Sequence, residues 1–175
     1  HVEIDVSGTP LEGACRAGQS FGVIAPGVAE NGKPHKVRLY SLASPTCGED
    51  GEGKIIATTP KRVIDEFTPQ KDEDDSDRHE LFLGVCSNYV CDLQVGDKVQ
   101  VTGPSGKRFL LPVDHNKHDY IFMATGTGIA PFRSMCKELF ENPDGPTTSQ
   151  VHVVMGTPYT TDLLYDDFFC DLEKK

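Results

Sequence analysis

The sequence predicts two unlike halves: an antiparallel β-barrel or sandwich, then the opening of a parallel α/β domain. Three observations carry this. Short apolar runs separated by glycine- and proline-rich turns fill the first two thirds of the chain. A polar linker, Asp114–His118, ends that pattern. Beyond it the order becomes strand, glycine turn, helix, strand, helix. The division places the domains at 1–114 and 115–175.

Taken in order, His1–Val6 alternates, with Val2, Ile4 and Val6 on one face, as a half-buried strand does. Ser20–Ala25 is an apolar run ending at Pro26-Gly27, and Val37–Ala43 another, ending in the turn-rich Ser44–Gly53. Lys54–Thr59, Leu81–Cys86 and Lys98–Thr102 follow as strands. Ser87 and Asn88 could cap a short helix starting near Tyr89. Gly103-Pro104-Ser105-Gly106 reads as a turn. In the second half Tyr120–Ala124 is a compact strand and Gly126-Thr127-Gly128 a glycine turn. Ile129–Phe140 has helical spacing at Ile129, Phe132, Met135, Cys136, Leu139 and Phe140. Asn142–Ser149 is a loop, Val151–Met155 a second strand, and Asp162–Leu172 a second helix. Parallel strands need cover on both faces, so two strands and two helices make an incomplete α/β domain.

Composition excludes some functions. The 175 residues carry a net charge of -10, which argues against nonspecific nucleic-acid binding. The charge is uneven. From Asp65 to Glu80 eight acids face only Lys71 and Arg78, leaving -6 there and -4 elsewhere. Residues 68–80 read as a solvated hairpin loop, with a docking tail as the alternative. No apolar run approaches the roughly 18 residues of a membrane span, and no targeting segment is expected within the chain. The six cysteines form no C-x-x-C and have no nearby His at ligand spacing, so no metal site is expected. They read as reduced and mostly buried, which suits a reducing compartment.

Three segments carry chemistry. Gly126-Thr-Gly-Ile-Ala-Pro131 lies between a strand and a helix, where glycines let a pyrophosphate approach and unpaired N–H groups supply donors. Pro131 stands where G-x-G-x-x-G has its third glycine, and a plain tight turn is the alternative. In Arg38-Leu39-Tyr40-Ser41, alternation puts Arg38 and Tyr40 on one side and Leu39 and Ser41 on the other. Arg suits a phosphate, Tyr a planar ring and Ser a ring nitrogen, but on local chemistry alone an ordinary strand with one surface Arg is the simpler account. Gly84-Val-Cys-Ser-Asn-Tyr-Val-Cys91 sets small residues at a strand end, and no local partner activates Cys86 as a nucleophile.

Read together, these segments resemble plant-type ferredoxin–NADP reductases, a type also found in some bacteria. The matching stretches are Ala17–Gly27, Arg38–Ser44, Gly84–Leu93, Gly96–Gly106 and Ala124–Ser134, with Gly156-Thr-Pro158 and Leu163-Leu-Tyr165 resembling the next βα unit. The resemblance implies an antiparallel FAD-binding β-barrel followed by a Rossmann-like NADP-binding α/β domain, of which this chain has the N-terminal part. It implies that Arg38 binds the FAD pyrophosphate, Tyr40 stacks on the isoalloxazine and Ser41 lies beside N5, making Tyr40 and Ser41 the catalytic pair. Leu39 would accompany them. Gly84, Val85, Cys86 and Ser87 would wrap the FAD, with the Ser87 hydroxyl or backbone N–H groups on phosphate. Thr59 would contact its adenosine side and Lys61 would reach toward NADP. Thr127 would touch flavin and nicotinamide, while Gly126, Gly128, Ile129, Ala130, Pro131, Gly156, Thr157 and Pro158 would receive NADP(H).

The implied activity is electron transfer between NADP(H) and ferredoxin or flavodoxin through FAD, by a monomer in plastid stroma or bacterial cytoplasm. Lys61-Arg62 and Lys107-Arg108 are the basic pairs that could steer an acidic carrier. The alternatives are a reductase component feeding an oxygenase, or a flavin- or nucleotide-binding module that does not turn over.

Overall fold

A computed structural model describes residues 1–66, 81–141 and 145–174. In chain order the elements are β1 (Val2–Asp5), β2 (Ser20–Ile24), β3 (Arg38–Ser41), β4 (Ile55–Thr58), β5 (Ile64–Glu66), β6 (Leu81–Leu83), α1 (Val85–Asp92), β7 (Gln100–Ser105), β8 (Tyr120–Thr125), α2 (Ala130–Phe140), β9 (Val151–Gly156) and α3 (Asp166–Glu173). Single 3-10 turns precede α2 at Gly126–Ile129 and α3 at Thr160–Asp162.

The first half is antiparallel, as predicted. β1 pairs with β4, β2 lies between β3 and β7, and β5 pairs with β6. Its core gathers the inward residues of the alternating strands: Ile4, Val6, Phe21, Val23, Leu42 and Ile56, with Val90 from α1. The first two sheets are joined at a corner rather than through one ladder. Leu42 N–H still donates to the Gln19 carbonyl at 2.9 Å, and Ala43 N–H then donates to Ala57 at 2.7 Å. A closed barrel is not formed among the described residues: the ladders end at this corner, and a register shift between Ser20 and Gly22 interrupts the β2–β7 pairing.

The second half is parallel, also as predicted. β8 and β9 run in register from Tyr120 opposite Val151 to Thr125 opposite Gly156. One face, with Tyr120, Phe122, Val151 and Val153, packs on Met135, Cys136 and Leu139 of α2 and on Phe168, Phe169 and Leu172 of α3. On the other face Ile121, Met123 and Val154 are exposed, so the two helices cover the sheet on one side only. The halves touch where Ala43 and Ala57 meet Ala130.

Four element assignments need correction. The helix expected near Tyr89 starts at Val85. Ser87 Oγ and Asn88 Nδ2 donate back to the Gly84 carbonyl at 3.2 and 2.7 Å, so both lie in the first turn rather than before it. Gly103–Ser105, read as a turn, extends β7, with Ser105 opposite Ser20; sheet pairing overrides the local turn signal. Gly126–Gly128 forms a 3-10 turn rather than a bare glycine turn. The last helix starts at Asp166, four residues late, because Tyr165 takes a left-handed conformation at φ 62°. The loop assigned to 68–80 lies outside the described residues.

Candidate active site

A cleft of about 410 Å³ opens between β3, β6 and the start of α1. Six of the residues singled out from sequence line it: Arg38, Tyr40, Gly84, Val85, Cys86 and Ser87. Strand alternation delivers Arg38 and Tyr40 to it together. Leu39 and Ser41 do not line it; Leu39 is exposed, and the Ser41 carbonyl accepts from Thr58 Oγ1 at 2.8 Å. His35, Lys36, Val63, Phe82 and Leu83, to which the sequence reading gave no role, complete the walls. Lys36 adds positive charge beside Arg38, and its closeness to Arg38 in sequence was the available signal.

The Tyr40 ring is half-buried. Burial and then a hydrogen bond with the Cys86 thiol push its hydroxyl well above the ordinary phenol range, so it stays protonated. The Cys86 thiol is buried and donates to the Val23 carbonyl at 3.8 Å, the setting of a packed cysteine rather than a nucleophile. Ser87 Oγ accepts from Val63 N–H at 3.2 Å while donating to Gly84. With that hydroxyl engaged, the first-turn N–H groups of α1 are the better anion donors here; no side chain caps this helix. A Cβ at Gly84 would stand 2.8 Å from Val63 Cβ, so close packing by itself accounts for this glycine.

The second group of predicted residues gathers at the carboxyl edge of β8 and β9. Gly126, Thr127 and Gly128 leave β8, and Gly156, Thr157 and Pro158 end β9 beside them. Ligand crevices of open α/β sheets lie at this edge. Ile129, Ala130 and Pro131 are buried, so their side chains do not present a surface to a ligand. Gly126 has φ 50°, which accounts for its glycine. Gly128 has no positive φ, and a Cβ there would meet nothing within 4 Å. The protein itself therefore gives no reason for glycine at 128, whereas a closely approaching ligand would.

Thr59 is buried, and its hydroxyl is hydrogen-bonded to Tyr165 OH. Lys61 is exposed. Its neighbour Arg62 bonds Asp92 at 2.7 Å and Asn88 at 3.1 Å, so it is held against α1 and is a poor steering charge. Lys107 and Arg108 are exposed. All six cysteines are free; Cys15, Cys86 and Cys136 are buried while Cys47 and Cys170 are exposed, so "mostly buried" holds for half of them. Among the described residues no group of three potential ligands is arranged for a metal, and no helix is long and apolar enough to cross a membrane.

Sequence reading also missed Glu49, Arg133 and Tyr165. Arg133 and Tyr165 fall inside the stretches that carried the resemblance, but nothing local gave them a role. Arg133 bonds both carboxylate oxygens of Glu49 and the Ala43 carbonyl.

Glycine-bearing turns gathered at the carboxyl edge of a parallel strand pair are the arrangement of nucleotide-binding α/β domains, and residues 122–175 match the family described as oxidoreductase NAD-binding domain. Over nine-tenths of its length the chain is further related to the ferredoxin–NADP reductases of plastids. It is 43% identical to leaf isozyme 1 of Oryza sativa and 42% identical to leaf isozyme 1 of Arabidopsis thaliana, each over 91% of this chain and 42% of the relative. The cyanelle enzyme of Cyanophora paradoxa is 43% identical over 90% of this chain and 40% of the relative. The chain thus spans about two fifths of the length of these relatives. Among solved structures, ferredoxin-NADP+ reductase from Plasmodium falciparum superimposes with a TM-score of 0.63 at 25% identity, over 91% of this chain and 52% of that one.

Proposed function

We propose that this chain forms the flavin-binding half and the first part of the nucleotide-binding half of a ferredoxin–NADP reductase, divided near residue 114. The observation that carries the reading is the convergence of Arg38, Tyr40 and Gly84–Ser87 on one cleft, in a chain 43% identical to such enzymes. The barrel implied by the resemblance would close through strand pairing beyond the ladders described above.

The cleft fits FAD. Its volume lies in the range of ligand sites, and it offers a diphosphate Arg38, Lys36 and the α1 N–H groups, with Tyr40 for a flat ring. Bound FAD would supply hydride acceptance and single-electron release. Arg38 would grip the diphosphate through its planar fork. Tyr40 would stack on the ring and keep its own proton. Ser41, whose side chain does not line the cleft, would reach only a flavin edge that projects past the end of β3. Lys61 and Thr127 would face the incoming nucleotide, and Gly128 would let its pyrophosphate approach the start of α2.

The expected carrier is ferredoxin or flavodoxin, steered by the exposed Lys61, Lys107 and Arg108, and the chain would act as a monomer. The plastid stroma is the favoured compartment, given the chloroplastic relatives. The first test is the visible spectrum of the full-length protein, followed by NADPH oxidation with added carriers. Flavin bands near 370 and 450 nm (roughly) and ferredoxin-dependent oxidation are expected. A protein that takes up no FAD would overturn the reading. Oxidation supported only by an oxygenase component would replace the carrier.

A further inference from the structure

Arg133 stands where three parts of the molecule meet. Its Nη1 donates to the Ala43 carbonyl at 2.7 Å and to Glu49 Oε1, and its Nη2 donates to Glu49 Oε2 at 3.2 Å. Lys137, one turn further along α2, donates to the same Glu49 Oε2 at 2.9 Å. Ser134 Oγ donates to the Ser44 carbonyl at 2.6 Å, and Thr46 N–H donates to Glu138 Oε2 at 2.9 Å. One face of α2 is therefore bonded along the segment 43–49. The guanidinium carbon of Arg133 also lies 5.0 Å from the Tyr165 ring centroid and 5.5 Å from that of Phe168. Tyr165 in turn bonds Thr59, just beyond β4.

These charges are not a surface pair. The Glu49 and Arg133 side chains are 10% and 12% exposed. Buried charges are costly unless well bonded, and this geometry bonds both carboxylate oxygens. The connectivity gives the cluster its meaning. Segment 43–49 begins two residues after Tyr40-Ser41, and α2 begins directly after the turn that holds Thr127.

We propose that Arg133, clamped by Glu49 and stacked on Tyr165, is a positioning residue that fixes Tyr40-Ser41 against Thr127, the gap a hydride would cross; this rests on the functional reading above. A displacement of about 1 Å in such a gap costs a reaction on the order of a hundredfold. Lysine would keep the charge at 133 but lose the fork and the stacking.

The test uses the full-length protein, with Arg133→Lys and the near-isosteric Glu49→Gln as the variant that keeps its fold if the first does not. Three quantities are read: bound flavin, the single-turnover rate of flavin reduction by NADPH against the NADPH dissociation constant, and amide hydrogen exchange over 43–49 and 130–140 without nucleotide. Flavin is expected to stay bound. Exchange should rise about tenfold in both segments together. Reduction should slow about ten- to a hundredfold while the dissociation constant moves by less than about threefold. Unchanged exchange, or loosened exchange with a normal reduction rate, would overturn the proposal. Wild-type protein without flavin would instead sink the functional reading, and the exchange measurement would still decide whether the clamp exists.

Discussion

Thr125 and Gly156 stand opposite each other on the last rung of the parallel β8–β9 ladder. The loops that follow them, Gly126–Gly128 and Thr157-Pro158, therefore leave the sheet side by side at its carboxyl edge, where a nucleotide would meet both.

Gly128→Ala separates a structural glycine from a ligand-facing one. The added methyl meets no atom within 4 Å, and the backbone there is open to any residue. Alanine also suits a helical turn better than glycine, by up to about 1 kcal/mol. The melting temperature should hold or rise slightly, while NADP(H) affinity falls about tenfold as the methyl enters the pyrophosphate's path. Thermal melts and nucleotide titration check both halves; unchanged affinity would remove Gly128 from the site.

The alternation of Val2, Ile4 and Val6, and of Arg38 and Tyr40, was legible because a strand's period is two and each set shares a face. The start of α1 was not: Leu81–Cys86 is one apolar run, and nothing in it marks where pairing ends and helix begins. Gly103–Ser105 carried turn chemistry that pairing with β2 overrode. The Glu49–Arg133 pair was invisible for a different reason. Its partners are 84 residues apart, and neither sits in a local pattern that names the other.

Tyr40→Ala and Ser41→Ala should act differently, because alternation sends the two side chains to opposite sides of β3. Removing the Tyr40 ring opens the cleft beside Cys86 and should weaken FAD retention by about 1–3 kcal/mol, read as flavin lost on dilution. Ser41→Ala should leave flavin bound and slow its reduction by NADPH about ten- to a hundredfold. A normal rate in Ser41→Ala would detach that hydroxyl from the chemistry.

Ile129 was singled out for nucleotide binding, yet its side chain is fully buried. Ile129→Ala should therefore behave as a core truncation, costing about 2–5 kcal/mol of stability. Ile129→Val should cost about 0.5–1.5 kcal/mol and leave nucleotide affinity near the wild-type value. Denaturant unfolding with nucleotide titration tells these apart: a stable Ile129→Val that has lost its nucleotide would restore a contact role for this side chain.

The Glu49 clamp makes one part of the acid sensitivity predictable in sign. Burial alone would push the Glu49 carboxyl up, but the hydrogen bonds and charges of Arg133 and Lys137 outweigh it and hold the group below its ordinary value of 4.5. The His1 ring nitrogen Nε2 lies 4.0 Å from the same carboxylate. Because the folded value is the lower one, the ionised pair adds stability above pH 4.5, and that stability is lost as the pH falls through the folded value. Asp5, Asp50 and Asp92 are also held low, so the wild-type acid limb is a composite. The difference from Glu49→Gln isolates one group. At neutral pH the variant should be less stable by about 1.5–3 kcal/mol, since an amide replaces a carboxylate facing two cations. The gap should narrow as the pH falls below 4.5 and close once it has passed the lower folded value, because protonation turns the wild-type side chain into a similarly neutral partner. Urea unfolding of both proteins across pH 7 to 3 measures that gap directly. A gap that stays constant with pH would mean that Glu49 does not hold these cations as a carboxylate.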